Sequence, residues 1–564
     1  GDKLDIDKIP LDDEATCSML RKGDTQGVFQ LESGGMTKLV MDLGPESFED
    51  LIPLVALYRP GPLGTGMVED FIAGRHGEKT AEMLHPLLEP VLKDTFGVIL
   101  YQEQVMQITS VLAGFSLGQA DILRRAMGKK KAKELDSMRE AFIDGAQQKH
   151  GISPQLSSEI FALLQHFAGY GFNKSHSAAY ALVAYQTAYL KAHWPAEFMA
   201  AFLTSVISDS EKLSWYISVC RSMGLKILPP DVNESGRSFS VNKDRVIRFG
   251  LAGVKNVGEN AIGSILQARK EGPFKSLMDF CKRVDNRAVN KRMLENLIKC
   301  GAMDSFGYKR SELLAVAEQA MDMGSNYQKD YQSGQMGLFG DDSFADVNEL
   351  RIPELEEIPK RTILQYEKEL IGFYVTGNPL DAYVGSLYYY TPLRKISDAS
   401  EVLDGKYFSV AGIISDCRIR NTRQGDSMAI LTLEDFNGKM EIVVFPKVYR
   451  DAARLLYQEN AISVEGKLSI DERERKIQAL KIKPLQEVPP DLHIKIMKKD
   501  ENGIVQKGLK QIFESFSGDT PVYLHLIDSG KMIKVERCFW VDGKNAGVYQ
   551  ALDDLLGENW YLKG

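Results

Sequence analysis

The fold of the first part of the chain depends on the stretch GYGFNKSHSAAY, residues 169–180. Its glycines predict a turn, and the residues after them predict the first turn of a helix. Lys174 and His176 then stand where unpaired backbone N–H groups and the helix dipole favour an anion such as a phosphate. The alternative is an ordinary helix start, capped by Ser175, with both side chains exposed. The stretch alone leaves both interpretations open.

A second stretch concentrates positive charge. Residues 124–133, RRAMGKKKAK, hold six cations and no acid. Arginine offers a planar fork to phosphate and lysine a mobile point charge, so the run could hold a triphosphate or a nucleic-acid backbone. Arg124 and Arg125 point about 100° apart on a helix and can therefore contact different phosphates. A solvated helix face is the alternative.

Two further stretches place a tyrosine and a polar group beside a turn. They are YRPGP, residues 58–62, and GVILYQEQ, residues 97–104. Such a tyrosine can stack on a base or form an ordinary buried corner, and the residues do not decide between the two.

The composition limits the classes of protein to which the chain can belong. Its 564 residues predict roughly four domains, and 44% hydrophobic and 26% charged residues are typical of globular proteins. The net charge of −8 means that any nucleic-acid site must be a local patch. Six dispersed cysteines and the lack of a long apolar run argue against a disulfide framework, a structural zinc and a membrane span. The first residue is Gly1, which suggests a fragment of a longer chain.

Hydrophobic periodicity divides the chain into regions of different type. The first 220 residues read as mostly helical, and residues 321–357 are acidic and lack periodicity, as in a solvated linker. Five strands, with a helix between the third and the fourth, are predicted over 407–483 and suggest an OB-type barrel. The last part, from Asp491, predicts a small α+β module. The expected fold class is therefore multidomain α+β.

Five stretches together resemble one family, the alpha subunit of bacterial DNA polymerase III, the replicative polymerase. They are GVFQLES (27–33), LVALYRPGP (54–62), YQEQVMQ (101–107), LRRAMGKKK (123–131) and FAGYGFNKSH (167–176). The resemblance implies that residues 1–225 are the fingers domain, which closes over the incoming nucleotide. By that resemblance, the candidates for contacts to the triphosphate or the template are Arg59, Tyr101, Arg124, Arg125, Lys129, Lys174 and His176.

The same resemblance draws attention to what this sequence lacks. Polymerases of this family hold two Mg²⁺ ions with three palm aspartates, and no stretch matches their aspartate-rich strand. Asp5 and Asp7 have the right spacing but lie in a polar lead-in before Pro10, so no catalytic residue and no metal site is assigned. The expectation is a chain that starts after the palm, lacks the phosphoesterase-like domain and the thumb, and is inactive alone. Mg²⁺ and the dNTP substrate belong to the intact polymerase.

Residues 251–261, LAGVKNVGENA, resemble a helix-hairpin-helix element, whose tight hairpin offers backbone N–H groups to duplex phosphates. Asn256 stands where the usual hairpin has its first glycine, and asparagine is the other residue that best adopts the left-handed conformation. The candidates for duplex contacts are Gly253, Lys255, Asn256 and Gly258. A purely structural hairpin is the alternative.

The acidic linker contains QMGLF, residues 335–339, which resembles the short peptide by which bacterial polymerases bind the sliding clamp. A flexible tether presents Leu338 and Phe339 to an apolar pocket, while Gln335 supplies a directional hydrogen bond. The clamp-binding candidates are Gln335, Met336, Leu338 and Phe339.

The barrel resembles the single-strand-binding module of the family. Its predicted loop 417–425 carries Arg418, Arg420 and Arg423. Phe408 and Phe436 are candidate stacking residues that could equally belong to the core. The tail resembles the module that binds the tau subunit of the clamp loader.

Together these inferences predict part of a polymerase III alpha subunit. The predicted domains are the fingers (1–225), a helix-hairpin-helix domain (226–322), an acidic linker with the clamp peptide (323–362), a helical connector (363–402), the OB-type barrel (403–486) and a tau-binding-like module (487–564). The expected role is DNA-directed DNA synthesis in the bacterial cytoplasm. The expected partners are primer–template and single-stranded DNA, the sliding clamp, tau and, through the missing part, a proofreading exonuclease subunit. The alternative is a non-catalytic scaffold that binds DNA and the clamp.

Overall fold

The stretch after Gly171 forms a long helix, Lys174–His193, in the computed structural model. The structure describes residues 4–79, 83–128, 132–168, 171–332, 350–397, 403–422, 425–436, 438–471, 474–487, 491–497, 503–557 and 560–561. The chain forms two compact units, which are Gly1–Glu357 with Glu369–Phe373, and Ile358–Lys368 with Tyr374–Gly564. Each unit has hydrophobic cores of its own.

The amino-terminal part of the first unit is helical, which confirms the prediction from the sequence. Its helices are α1 (Glu14–Arg21), α2 (Gly34–Leu43), α3 (Leu51–Leu57), α4 (Pro60–Leu63), α5 (Met67–Arg75), α6 (Glu89–Leu92), α7 (Gln102–Ala113), α8 (Leu117–Gly128), α9 (Ala132–His150), α10 (Pro154–Ala168), α11 (Lys174–His193), α12 (Pro195–Ser205) and α13 (Ser210–Ser222). Polar caps fix several of the helix starts. For example, the Asp13 side chain accepts a hydrogen bond from the N–H of Thr16 in the first turn of α1.

Two hydrophobic cores lie within this helical part. The first is formed mainly by α1, α2, α3 and α11, with Leu20, Leu54 and Tyr185 fully buried in it. The second is formed mainly by α7, α8, α9 and α10, with Phe142 fully buried in it. Phe167 packs against both cores. Helix α10 therefore ends where the two cores meet.

Helix α11 carries a lysine into the interior. The Lys191 side chain is buried, and its ammonium group donates hydrogen bonds to the carbonyl oxygens of Asp24 and Gln26, both at 2.8 Å. Burial lowers the pKa of Lys191 to about 8, although the carboxylates of Asp24 and Glu32 act in the opposite direction. The lysine therefore fastens the chain segment around Gln26 to α11.

Replacing Lys191 by Met is expected to remove a rise of stability with pH. The folded-state pKa of about 8 lies below the ordinary value of 10.5, so the unfolded chain binds more protons between these two pH values. Across this window the free energy of unfolding of the parent chain should rise relative to that of Lys191→Met, by about 3 kcal/mol at most. Urea unfolding of both proteins at a series of pH values measures the difference. The same change with pH in both proteins would refute the expectation.

Short strands and then helices complete the first unit. They are β1 (Ile227–Leu228), β2 (Ser240–Val241), β3 (Ile247–Arg248), α14 (Glu259–Arg269), α15 (Leu277–Arg283), α16 (Lys291–Lys299) and α17 (Arg310–Gln332). Strand β3 lies between the other two, parallel to β1 and antiparallel to β2. Helix α17 continues past the predicted domain boundary at 322. Its Gly324 lies against the backbone of Cys281, where a Cβ would be only 2.5 Å from the carbonyl oxygen, so this extra length is packed.

The second unit contains the predicted barrel. Its strands are β4 (Tyr407–Asn421), β5 (Ser427–Glu434), β6 (Lys439–Val444), β7 (Ala461–Asp471) and β8 (Glu474–Pro484). They close in the order β4-β5-β6-β8-β7, with β6 and β8 parallel and the other strand pairs within this order antiparallel. The predicted helix between the third and fourth strands is Pro446–Ala452. Alternating side chains such as Leu431, Leu433 and Ile442 fill the barrel core.

An α+β module follows the barrel, as predicted. It consists of β9 (Leu492–Ile496), a helix at Gly503–Ser515, β10 (Ser517–Thr520), β11 (Val522–Leu526), β12 (Lys531–Lys534) and a helix at Ala546–Leu556, and its sheet has the order β12-β11-β9. Short helices at Lys360–Ile371, Val384–Leu387 and Leu393–Ser397 precede the barrel. The hydroxyl of Tyr388 donates to the carboxylate of Asp553 at 2.6 Å, so the residues around Tyr388 are packed on the module. None of the helices in the described part of the chain combines the length and apolar character that crossing a membrane requires.

Candidate nucleic-acid interface

Two chain segments meet beside the starts of α7 and α11. The backbone N–H of Gln102 donates to the carbonyl oxygen of Phe172 at 2.9 Å, and the N–H of Phe172 donates to the carbonyl oxygen of Leu100 at 3.1 Å. Nε2 of Gln102 also donates to the carbonyl oxygen of Gly171 at 2.9 Å. These contacts form a parallel bridge between Tyr101 and Phe172. The bridge brings two of the stretches that carry the family resemblance to one place.

Arg124 reaches this bridge from the end of α8. Its guanidinium group donates to Oε1 of Gln102 at 3.0 Å and to Oδ1 of Asp121 at 3.0 and 2.7 Å. Arg125 pairs with the other oxygen of Asp121 at 2.9 Å, with 66% of its side chain exposed. The hydrogen bond from Arg124, followed by the charges of both arginines, outweighs partial burial and lowers the pKa of Asp121. Because two guanidinium groups share one carboxylate, this group keeps a net positive charge.

The start of α11 is occupied by a carboxylate of the protein itself. The Asn173 side chain accepts from the N–H of His176 at 2.8 Å, and its amide donates to Oε1 of Glu103 at 3.0 Å. The N–H of Lys174 donates to both oxygens of Glu103, at 3.1 and 3.0 Å. The helix cap is therefore Asn173 rather than Ser175, and Glu103 fills the position that an anion prefers. The side chains of Lys174 and His176 are exposed.

We call the residues that meet at or beside the bridge the nucleotide-binding cluster: Arg59, Tyr101, Arg124, Arg125, Lys174 and His176. Cations and aromatic rings follow one another along one side of it. The guanidinium group of Arg59 lies 4.7 Å from the ring centroid of Phe172, and the rings of Phe172 and His176 are 5.4 Å apart. The row continues from His176 to Tyr180 at 4.3 Å and from Tyr180 to Phe29 at 5.5 Å. Single-stranded nucleic acids bind to aromatic faces that lie next to positive charge.

Tyr101 lies beneath the cluster, with 3% of its surface exposed. The ammonium group of Lys174 is 5.4 Å from the centroid of its ring, and burial raises the pKa of Tyr101 above its ordinary value. The predicted nucleotide-contacting residues that meet at or beside the bridge are Arg59, Tyr101, Arg124, Arg125, Lys174 and His176. Their contacts to a nucleotide stay a prediction.

The predicted hairpin is present in the first unit. Asn256 adopts the left-handed conformation, with a φ of 64°, as its place in the motif predicts. Gly253 is needed for packing, because a Cβ there would lie 2.6 Å from a neighbouring aromatic ring. The side chains of Lys255 and Asn256 are exposed, as is Gly258. The backbone N–H of Lys255, however, donates to the carbonyl oxygen of Leu370 at 2.8 Å, so it is already used within the protein.

Asn256→Val is expected to destabilise the hairpin by about 1–2 kcal/mol, because a β-branched residue is poorly accommodated at positive φ. Asn256→Gly is the matched control, and its free energy of unfolding should stay within about 0.5 kcal/mol of that of the parent chain, since glycine populates this region readily. Urea unfolding of the three proteins measures both effects. A valine variant as stable as the glycine variant would contradict the assigned backbone conformation.

On the barrel, Arg418 and Arg420 lie on a strand and not in the predicted loop. The ladder between β4 and β5 extends from Ile413 to Asn421, so it includes both arginines. Arg418 forms an ion pair with Asp416 at 2.9 Å, which reduces the local positive charge at this part of the barrel. Of the two candidate stacking residues, Phe408 packs against the barrel core and Phe436 is 47% exposed.

Several predicted residues lie outside the part of the chain that the structure describes. They are Lys129, Gln335, Met336, Leu338, Phe339 and Arg423. The predictions for them rest on the sequence alone.

The residues that hold this cluster together were not among the predicted site residues. Gln102 and Glu103 belong to one of the resembling stretches, and Asp121 precedes Arg124 by three positions. Residues at i and i+3 on a helix are neighbours, so the spacing of Asp121 and Arg124 predicts an ion pair between them. Nothing local indicates that Glu103 would reach the start of α11.

Comparison with known proteins identifies three regions of the chain. Residues 1–150 match the finger domain of the bacterial DNA polymerase III alpha subunit, residues 224–313 match a helix-hairpin-helix motif, and residues 408–485 match an OB-fold nucleic acid binding domain. These matches agree with the helical part, the hairpin and the closed barrel of the structure.

The chain is also similar to DNA polymerase III subunit alpha of several bacteria. The protein of Pseudomonas aeruginosa is 41% identical, over 99% of this chain and 50% of its own length. The Escherichia coli K12 protein is 43% identical over 83% of this chain and 41% of its own length, and the Thermus aquaticus protein is 42% identical over 93% and 43%. The chain thus spans about half the length of the curated relatives it matches. With its finger, helix-hairpin-helix and OB-fold regions in the same chain, it belongs to the family of bacterial DNA polymerase III alpha subunits.

Proposed function

We propose that residues 1–225 are polymerase fingers that bind the triphosphate of an incoming dNTP and the template beside it. The observation that carries the proposal is the meeting of Arg59, Arg124 and Lys174 around the Tyr101–Phe172 bridge. These cations come from separate stretches of the sequence, and like charges held close together repel one another. A polyanionic ligand offsets that repulsion.

The side chains of the cluster suit different parts of this task. Arg124, oriented by Gln102 and Asp121, is suited to a fixed, forked contact with phosphate oxygens. Lys174, exposed at the start of α11, supplies a point charge above the buried ring of Tyr101, which acts as a positioning residue. Together they hold and orient the phosphates by charge and hydrogen bonds, and they form no covalent bond with the substrate.

The proposed reaction of the intact polymerase is attack of a primer 3′ hydroxyl on the α-phosphate of the dNTP, with release of pyrophosphate. The family implies Mg²⁺ for this reaction. Within the described ranges, no group of three His, Cys, Asp or Glu side chains is placed to hold a metal. No metal-dependent step is therefore assigned to these residues. That this chain alone does not extend a primer stays a prediction from the missing aspartate motif.

The other domains are proposed to bind DNA outside the fingers. Exposed Lys255, Asn256 and Gly258 support contacts between the hairpin and duplex phosphates, made without the N–H of Lys255. Arg418 and Arg420 on β4 support contacts to single-stranded DNA. Because Arg418 already pairs with Asp416, we expect this barrel site to be the weaker of the two.

The proposed protein partners rest on the resemblance of the sequence to the family. Residues 335–339 would bind the sliding clamp, and residues 487–564 would bind the tau subunit of the clamp loader. A proofreading exonuclease would bind the part of the polymerase that this chain does not match. The proposed setting is the bacterial cytoplasm, at replication forks.

Nucleotide binding separates this proposal from that of a DNA-binding scaffold. A fluorescent dATP analogue is expected to bind the chain in the presence of primer–template, and the corresponding nucleoside, which lacks phosphates, should bind at least about tenfold more weakly. Fluorescence anisotropy measures both affinities. A scaffold would bind the primer–template and neither nucleotide, and that outcome, or equal binding of nucleotide and nucleoside, would contradict the proposal.

A further inference from the structure

The first unit contains a cavity of about 620 Å³ that the proposed function does not use. A cavity of this size can enclose a small organic group. Its walls include the rings of Phe29, Tyr58, Phe198 and Phe202, with polar groups from Gln30 and Ser33. We call it the Phe29 pocket.

The loop that forms one wall of the Phe29 pocket is held in a fixed conformation. The N–H of Phe29 donates to Oγ1 of Thr187 on α11 at 3.1 Å, and the N–H of Gly27 donates to Oε2 of Glu32 at 3.1 Å. Gln30 has a φ of 64°, an unusual value for a residue with a side chain. Such strained residues persist where the surrounding structure imposes them, and they are frequent at binding sites. The pocket is therefore preformed.

The charge of the lining residues excludes a phosphate as the occupant. Among the residues that line the Phe29 pocket, all of which the structure describes, none is Lys, Arg or His, and one is the acid Glu32. The carboxylate of Glu32 also accepts from the hydroxyl of Tyr216 at 2.6 Å, so it is fixed at the wall. A planar, uncharged ring with polar edges fits these walls, because it can stack on aromatic faces and form hydrogen bonds with Gln30 and Ser33. A nucleobase has this chemistry.

The Phe29 pocket adjoins the nucleotide-binding cluster. Tyr58 lines the pocket, and the next residue, Arg59, lies over Phe172 of the bridge. Phe29 lines the pocket from another side, and its ring contacts Tyr180, which contacts His176. A strand whose phosphate lies at Arg59 could therefore place a neighbouring base in the pocket.

We propose that the Phe29 pocket binds one unpaired base of the single-stranded template next to the nucleotide-binding cluster. The identity of this strand as template rests on the proposed function. The binding of a base, in contrast, rests on the pocket itself.

An abasic scan of the template overhang tests the proposal. Primer–templates that carry an abasic site at successive overhang positions are bound to the chain, and fluorescence anisotropy gives the affinity of each. An abasic site at one position should weaken binding by about fivefold or more, as expected for the loss of a stacked base. Abasic sites at the other positions should change the affinity little. An equal effect at every position, or no effect at any, would overturn the proposal.

The variant Phe29→Ala tests whether the base at the sensitive overhang position is the one bound in the Phe29 pocket. The Phe29 side chain is partly exposed, so its loss should leave the fold intact, and circular dichroism checks this. In this variant the unmodified overhang should bind as weakly as the abasic one. Met41→Ala, which removes an exposed apolar residue outside the pocket, is the matched control. This variant should still bind the unmodified overhang more tightly than the abasic one. If the abasic site still weakens binding in Phe29→Ala, the assignment of this base to the pocket is overturned.

The two proposals can fail separately. If the dATP analogue binds and the abasic scan is flat, the Phe29 pocket is not a base site and the fingers assignment stands. If an abasic site at one position weakens binding and the dATP analogue does not bind, the pocket binds a base of single-stranded DNA and the proposed nucleotide binding by the fingers is wrong.

Discussion

Arg124→Gln is expected to weaken binding of the fluorescent dATP analogue by about ten- to a hundredfold. A hydrogen bond to a charged group contributes about 1.5–3 kcal/mol, and each 1.4 kcal/mol is a factor of ten in affinity. Arg124 should realise this contribution in full, because Gln102 and Asp121 orient its guanidinium group before the ligand arrives. Little conformational entropy is then lost on binding.

Arg125→Gln is the matched control for this experiment. Arg125 is adjacent on α8, pairs with the same Asp121 and loses the same charge, but its side chain is 66% exposed. Exposed ion pairs contribute about 0.2–1 kcal/mol, so the affinity should fall by about fivefold at most. Equal losses in the two variants would mean that net charge alone attracts the nucleotide. The orientation of Arg124 at the bridge would then have no role.

The parts of this structure that could be predicted depend on short-range patterns. Alternation of apolar residues predicted the five strands of the barrel, and the motif around Asn256 predicted its positive φ. The turn before Lys174 predicted the start of α11. In each case neighbouring residues determine the conformation, so a single sequence is sufficient.

The parts that could not be predicted depend on contacts between distant residues. The carboxylate of Glu103 accepts a hydrogen bond from the N–H of Lys174 at the start of α11, and the carbonyl oxygen of Leu370 accepts one from the N–H of Lys255. The backbone of Tyr101 bridges to Phe172, and its side chain is buried in a hydrophobic core. A local pattern shows which N–H groups and charged side chains need a hydrogen-bond or ion-pair partner. Whether the protein or a ligand supplies that partner depends on the tertiary fold.

Leu338→Ala combined with Phe339→Ala is expected to lower the affinity of the chain for the sliding clamp by about a hundredfold or more. Apolar anchors in a partner's pocket often contribute 2 kcal/mol or more each, and the charged residues around them contribute little. The anchors lie in the acidic stretch, residues 321–357, in which Gly340 separates the motif from Asp341 and Asp342. Surface plasmon resonance with the purified clamp measures the affinity.

Asp341→Ala combined with Asp342→Ala is the matched control, because it changes two neighbouring residues of the same stretch and leaves the five-residue motif intact. Its clamp affinity should stay within about threefold of that of the parent chain, as expected for charges outside an apolar anchor. Binding of single-stranded DNA should be unchanged in both double variants, since neither changes a residue of the barrel or the fingers. A similar loss of clamp affinity in both double variants would show that the clamp recognises the acidic stretch as a whole, and unchanged affinity in Leu338→Ala/Phe339→Ala would place clamp binding elsewhere in the chain.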